Sequence, residues 1–261
     1  MSGKPFDFFS ISSVHRGLKM RLLAVVATLA VALTFTARAA NLLVNGSFES
    51  ASTPATPVGG SNNVSPGSGV TLPGWTVALG TGGNGPGVYL ASAGSTGWIP
   101  NPQDGNFCLQ LDSTNNVGFT TGNSIQQSVT LAANTTYWLT FRINTEYGPG
   151  KGNTSGVDVT IRNPGGTNIV NAVRFTTTSG AVGSNPPATT PWTTCQIQFK
   201  TTTAGSYTFR FQDDVISANS NIALDNIVLD TVPEVSNWLA FFFFGALCVS
   251  QQRWRRPALA A

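Results

Sequence analysis

Chemistry at a protein surface needs acids, bases, nucleophiles or flat apolar faces, and this chain supplies only some of them. Its single histidine, His15, stands near the N-terminus, so a domain that begins later has none. That excludes Ser-His and Cys-His nucleophilic catalysis and histidine-ligated metals from such a domain. Carboxylates remain. A suitably spaced pair can hydrolyse a glycoside, and Asp104, Asp112, Glu146, Asp213 and Asp214 are available. Nothing in their local sequence singles out an acid and a partner base. Asp213-Asp214 follows a strand-like run and reads as a solvated or cation-binding turn. The expectation is a protein that is not an enzyme.

Aromatic side chains offer the other chemistry. Sugar faces stack on Trp and Tyr, while short polar groups fix the hydroxyls. Trp98 lies in Gly-Trp-Ile-Pro-Asn-Pro, Tyr147 in a Gly/Pro-rich stretch before Lys151, and Trp192 after the Pro-rich residues 186–191. Trp138 is out of phase with the apolar face of its own strand. These four are the candidate ligand contacts, with plugging of the domain ends the competing role for Trp98 and Trp192. Trp75 is expected in the core. Cys108 and Cys195 are the two cysteines of the central region. Cys108 alternates out of phase with Phe107, Leu109 and Leu111, and Cys195 is in phase with Ile197 and Phe199. A Cys108–Cys195 bridge and two separate buried thiols both stay open, and no CxxC spacing points to a metal.

The elements that must position these residues read as strands throughout. Tyr137, Leu139, Phe141 and Ile143 share one face, against Trp138, Thr140 and Arg142 on the other. Tyr207, Phe209 and Phe211 repeat the alternation, as do Val157, Val159 and Ile161. Further strands are predicted at 42–44, 74–79, 88–91, 107–111, 125–131, 170–175, 193–200 and 222–229. About eleven short strands without helical periodicity predict an all-β fold, a two-sheet antiparallel jelly-roll sandwich. Ser50 to Val70, Gly80 to Gly87, Thr145 to Ser155 and Thr178 to Pro191 are rich in Gly, Pro, Ser, Thr and Asn, and read as loops or a binding rim.

The ends carry a different code. Met20-Arg21, an apolar run from Leu22 to Phe35 and Ala37-Arg38-Ala39 form the charged start, apolar core and A-x-A site of a signal peptide, with cleavage after Ala39 and Met20 as the true start. The division expected is residues 1–39 as N-terminal extension and signal peptide, 40–231 as the sandwich, and 232–261 as a C-terminal tail. Between Ala40 and Thr231 there are six cations and nine anions, a net charge of −3, although the whole chain is +3. A mildly acidic domain with dispersed charge has no footprint for nucleic acid.

In the tail, Val232-Pro233-Glu234 precedes the uncharged run Trp238 to Val249 and then Arg253-Trp254-Arg255-Arg256. This resembles the PEP-CTERM sorting signal of bacteria. The resemblance implies export, display at the cell surface or in the extracellular matrix, and processing by an exosortase-type enzyme. Val235 replaces the expected second proline, and the short run leaves a thin or tilted membrane anchor as the other reading.

Six segments in order carry a second resemblance: Asn41 to Glu49, Leu72 to Val77, Gly105 to Asp112, Ile125 to Val129, Tyr137 to Phe141 and Ala223 to Ile227. Together they are similar to galactose-binding-like jelly rolls, including carbohydrate-binding modules and a domain-of-unknown-function family shared by plant cell-wall and bacterial surface proteins. The resemblance implies polysaccharide as partner, and a structural calcium held by Glu49 and Asp225. Asp225 shares parity with Ile227 and Leu229, so its carboxylate is expected to face the core, where it needs a cation or several hydrogen bonds. Hydrogen bonds from backbone amides are the competing role for both carboxylates. The function expected is a surface module that binds carbohydrate, with a structural matrix protein as the alternative.

Overall fold

The computed structural model describes residues 40–51, 61–81, 87–92, 101–112, 121–145, 154–178, 191–214 and 221–232. The signal segment, Trp98, Tyr147, Pro233 and Glu234 lie outside them. Among the described residues no helix is long and apolar enough to cross a membrane.

Among the described residues eleven strands follow one another: β1 (Ser61–Asn63), β2 (Thr76–Ala78), β3 (Val88–Ser92), β4 (Phe107–Leu111), β5 (Ser124–Leu131), β6 (Thr136–Thr145), β7 (Thr154–Arg162), β8 (Asn168–Thr178), β9 (Thr193–Lys200), β10 (Gly205–Asp213) and β11 (Ile222–Thr231). They form two sheets, one ordered β1-β3-β4-β11-β6-β9 and the other β2-β5-β10-β7-β8. Every pairing within them is antiparallel. This is the expected all-β, two-sheet jelly-roll sandwich.

Alternation decides what each strand buries. Tyr137, Leu139, Phe141 and Ile143 of β6 meet Tyr207, Phe209 and Phe211 of β10 across the core. Trp75 lies in that core as expected, its ring 5.9 Å from Phe48 and 6.0 Å from Phe211, and its indole donates to the Asn45 carbonyl at 3.0 Å. Burying rings of this size in offset and edge-on contact is the main apolar contribution to such a sandwich.

Two strand expectations change. Residues 42–44 are not a strand, because a side chain takes the place of a partner strand. Gln127 accepts from the Val44 amide at 2.7 Å and donates to the Val44 carbonyl at 2.9 Å. The chain then turns through Asn45 at φ 53°, with Gly46 so close to Ile227 that a Cβ would lie 1.9 Å from its carbonyl oxygen. Conversely β1 falls inside the stretch expected to be a loop, pairing through Ser61 opposite Ala91 and Asn63 opposite Tyr89.

Candidate functional site

The outward face of the six-stranded sheet is built from the residues that alternate with the core. Pairing registers lay them out in rows. Tyr89, Gln110, Ala223 and Asn144 form one row. Ala91 with Cys108, and Asp225 with Arg142 and Thr194, form the next. Val228, Thr140 and Gln196 follow, and then Asp230, Trp138 and Gln198.

The middle of this face is covered. Trp192 packs on Ala91 and Cys108 and donates its indole N–H to the Asn101 carbonyl at 2.9 Å. Residues 103–107 are pinned by two carboxylates. One Asp225 oxygen accepts the amides of Gln103 at 2.7 Å and Asp104 at 3.0 Å, and the other accepts that of Asn226 at 2.7 Å. Glu49 accepts the amides of Asn106 at 2.8 Å and Phe107 at 2.9 Å, with the Asn106 side chain at 3.3 Å. The approach works only because residue 105 is glycine: its φ is +68°, and a Cβ there would sit 2.4 Å from the Glu49 carboxyl carbon.

Asp225 is buried as expected, but on the other side of the sheet. A bulge between Asp225 and Val228 inserts one residue into β11. Asp225 therefore shares a face with Arg142, whereas Ile227 and Leu229 enter the core. Burial pushes its carboxyl up to about 7, with Asp104 adding in the same direction against the three amide donors.

A carboxylate offers about four lone-pair sites, and each of these two already receives three hydrogens. One acceptor position on each is thus not used by these bonds. Among the described residues no three His, Cys, Asp or Glu side chains gather closely enough to hold a metal ion.

The remaining rows carry Trp138. It stands half-buried between Asp230 and Gln198, with Thr140 and Gln196 beside it, where Gln196 donates to the Thr140 hydroxyl at 3.4 Å. Arg142 donates to the Thr194 hydroxyl. A flat indole among amides, hydroxyls and a carboxylate suits a polyhydroxylated ligand. Of the four aromatics singled out from the sequence, the structure describes two and gives them different work: Trp138 faces outward, and Trp192 is committed to the cover. Tyr89, in the first row, shares the outward face with Trp138, and burial and the nearby Asp112 raise its hydroxyl's pKa. Its parity against Val88 and Leu90 was the available signal.

The cysteines do not meet. Neither forms a disulfide: Cys108 lies on the outward face and Cys195 in the inter-sheet core opposite Phe141. Two strands separate β4 from β9, roughly 14 Å at ordinary strand spacing, too far for a disulfide. Burial holds the Cys108 thiol well above its ordinary range, helped by Asp225 and Glu49, and raises Cys195 to about 11.

A second polar group lies at one end of the sandwich, where β10 finishes beside the starts of β5 and β7. Asp213 and Asp214 are buried there, not a solvated turn. Gly122 and Gly156 permit this: a Cβ at Gly122 would lie 2.1 Å from the Asp213 carbonyl oxygen, and one at Gly156 would lie 2.9 Å from the Asp214 carboxylate. Arg174 reaches Asp214 at 3.3 Å, and the Thr145 and Ser155 hydroxyls bond to each other nearby.

Residues 39–230 match a family model described as HpiC1-like, HpiC1 cyclase. No curated protein matches the sequence. Solved structures with a likeness include the enzymatically active domain of tailspike protein 4 of bacteriophage CBA120, at TM-score 0.44 and 14% identity, over 74% of this chain and 21% of that one. This chain therefore spans about a fifth of the tailspike chain. A family 61 carbohydrate-binding module in complex with β-1,4-galactotriose gives TM-score 0.43 and 16% identity, over 74% of this chain and 99% of that one. The C-terminal family 22 carbohydrate-binding module of Clostridium thermocellum Xyn10B gives TM-score 0.40 and 13% identity, over 64% and 90%.

Proposed function

Taking as premise that the chain belongs to the HpiC1-like family, we propose that it is an exported, non-catalytic surface module that binds a polysaccharide. The observation that carries this reading is Trp138, an outward indole between Asp230 and Gln198 with Thr140 and Gln196 alongside. Stacking on the indole would supply the affinity, and the polar neighbours would fix the orientation of the sugar hydroxyls. The sequence features of the two ends support export and retention: the A-x-A site at Ala37 and Ala39, and the PEP-CTERM-like tail that starts at Val232-Pro233-Glu234. The sandwich, residues 40–231, is the delivered part, and an exosortase-type enzyme or the membrane itself is the tail's partner.

Affinity electrophoresis over a panel of soluble polysaccharides tests the reading. Retardation by at least one glycan is expected, and Trp138→Ala should abolish it. Unchanged mobility across the panel would leave a structural matrix role instead.

A structural calcium ion belongs to the same proposal, with Glu49 and Asp225 as its carboxylates and the remaining acceptor position on each as support. Such an ion would neutralise charge under the cover. A chelator should lower the melting midpoint, and a midpoint that does not move removes calcium from the account.

The family description favours a second reading, an enzyme of the cyclase kind. Its specific support is the adjacent carboxyl pair Asp213 and Asp214 at one end of the sandwich, since general acid–base chemistry uses positioned carboxyl groups. Glycan retardation that survives in Asp213→Asn would separate binding at Trp138 from any chemistry at that end.

A further inference from the structure

The other outward face, on the five-stranded sheet, has a different chemistry. Registers place Thr76, Gln126, Arg210 and Thr160 in one row across β2, β5, β10 and β7, and Ser128, Thr208 and Arg162 in the next. Arg162 stands opposite Thr208, two residues from Arg210 on β10, so the two guanidiniums are diagonal neighbours on one face.

Neither is neutralised. The nearest acid along β7, Asp158, spends both oxygens on Arg174, at 3.1 and 3.2 Å. Arg162 has one hydrogen bond, to the Asn168 side chain at 3.1 Å, and neither arginine forms an ion pair among the described residues. Arg210 is half-buried, and burial and the charge of Arg162 both lower its pKa, so an incoming anion would relieve both costs. Guanidinium forks match carboxylates two bonds at a time, and the flanking Ser128–Thr208 hydroxyl pair, 2.9 Å apart, and Gln126 offer hydrogen bonds to hydroxyl groups. Two cations standing together are unexpected on a domain whose net charge is −3.

We propose that the outward face of the five-stranded sheet binds the carboxylate groups of an acidic polysaccharide, received between Arg162 and Arg210. The surface is an open sheet face, suited to an extended chain, and it is separate from the Trp138 face. The proposal goes beyond the glycan reading above and does not need that reading to hold.

Titration calorimetry of the full chain with polygalacturonate tests it, with neutral dextran and inorganic sulfate as comparison probes. Polygalacturonate should bind, weakening as salt is raised, and any heat given by dextran should be the same in the double variant R162Q/R210Q. The double variant R162Q/R210Q should lose at least about tenfold in affinity, because charge-assisted hydrogen bonds are among the strong ones. The double variant should keep any retardation by a neutral glycan at the Trp138 face, so failure here and failure of the Trp138 reading are distinguishable. Absence of polygalacturonate binding, or unaltered affinity in the double variant, would overturn the proposal. Saturation by sulfate alone with no response to the polymer would overturn the assignment to a polysaccharide. Should the double variant lose its fold, Arg162→Gln at the exposed position carries the same test.

Discussion

The six-stranded sheet turns outward a face half covered by chain, whereas the five-stranded sheet turns outward a face of open hydroxyls, amides and arginines. Both arise from the same alternation of apolar and polar residues. The difference lies in what crosses them. On the six-stranded side, Asp225 and Glu49 capture backbone amides of residues 103–107, and Trp192 closes over Cys108. On the five-stranded side, the carboxylate Asp158 is used up on a neighbouring arginine in the same sheet. A carboxylate facing outward can thus either capture a passing loop or neutralise its own sheet, and the choice decides whether the face is shut or open.

The comparison is broken most severely by Asp225→Ala. It leaves three amide donors under the cover without their acceptor, each costing on the order of 1–3 kcal/mol, so the melting midpoint should fall by roughly 10 °C. A midpoint close to that of the unaltered protein would mean that other contacts hold the cover. The pH dependence has a definite sign. In metal-free protein the Asp225 carboxyl lies near 7 against an ordinary 3.8, so the folded state holds its proton more tightly than the unfolded chain. The stability gained is complete below the ordinary value and is lost as pH rises through about 7. Melts across that range should show the slope, and Asp225→Ala should flatten it.

A smaller effect is expected from Gly105→Ala, where the new Cβ meets the Glu49 carboxyl and φ is +68°. The matched control is Gly166→Ala in the β7–β8 turn, with φ +80° and nothing within 4 Å. Backbone strain of about 1–3 kcal/mol is common to both, so any excess loss at Gly105 in chemical denaturation measures the closeness of the cover. Equal losses would show that the loop yields freely.

The smallest effect is Arg174→Gln on the five-stranded side. Its pair with Asp158 is exposed, 39% and 26% on the two side chains, and such a pair contributes about 1 kcal/mol or less. A denaturation midpoint shifted by much more would assign the difference to the buried Asp214, the other carboxylate that Arg174 reaches.

How much of this was legible in the sequence depended on whether the signal was local. Strands β6, β7 and β10 could be read because core side chains recur at every second residue, and β9 was bounded correctly at Thr193 and Lys200. The face of Asp225 could not be read by counting parity from Ile227, because the bulge between them is a pairing event with β6, marked in β11 by Asn226 at φ 48°. For the same reason Leu42 to Val44 looked like a strand: Gln127, some 80 residues away, supplies the bonds a strand would have made. The outward placement of Trp138 was legible from its alternation. The commitment of Trp192 was not, since its partners Ala91, Asn101 and Cys108 come from another part of the chain.

Cys108 and Cys195, on opposite faces of one sheet, equip the sandwich with a pair of independent clocks. Trapping of Cys108 by an alkylating reagent times the lifting of the segment above it, an event local to one face. Trapping of Cys195 waits for the sheets to part, an event of the whole fold. The ratio of the two rates reads out, without any added label, whether the sandwich breathes at its surface before it opens at its centre.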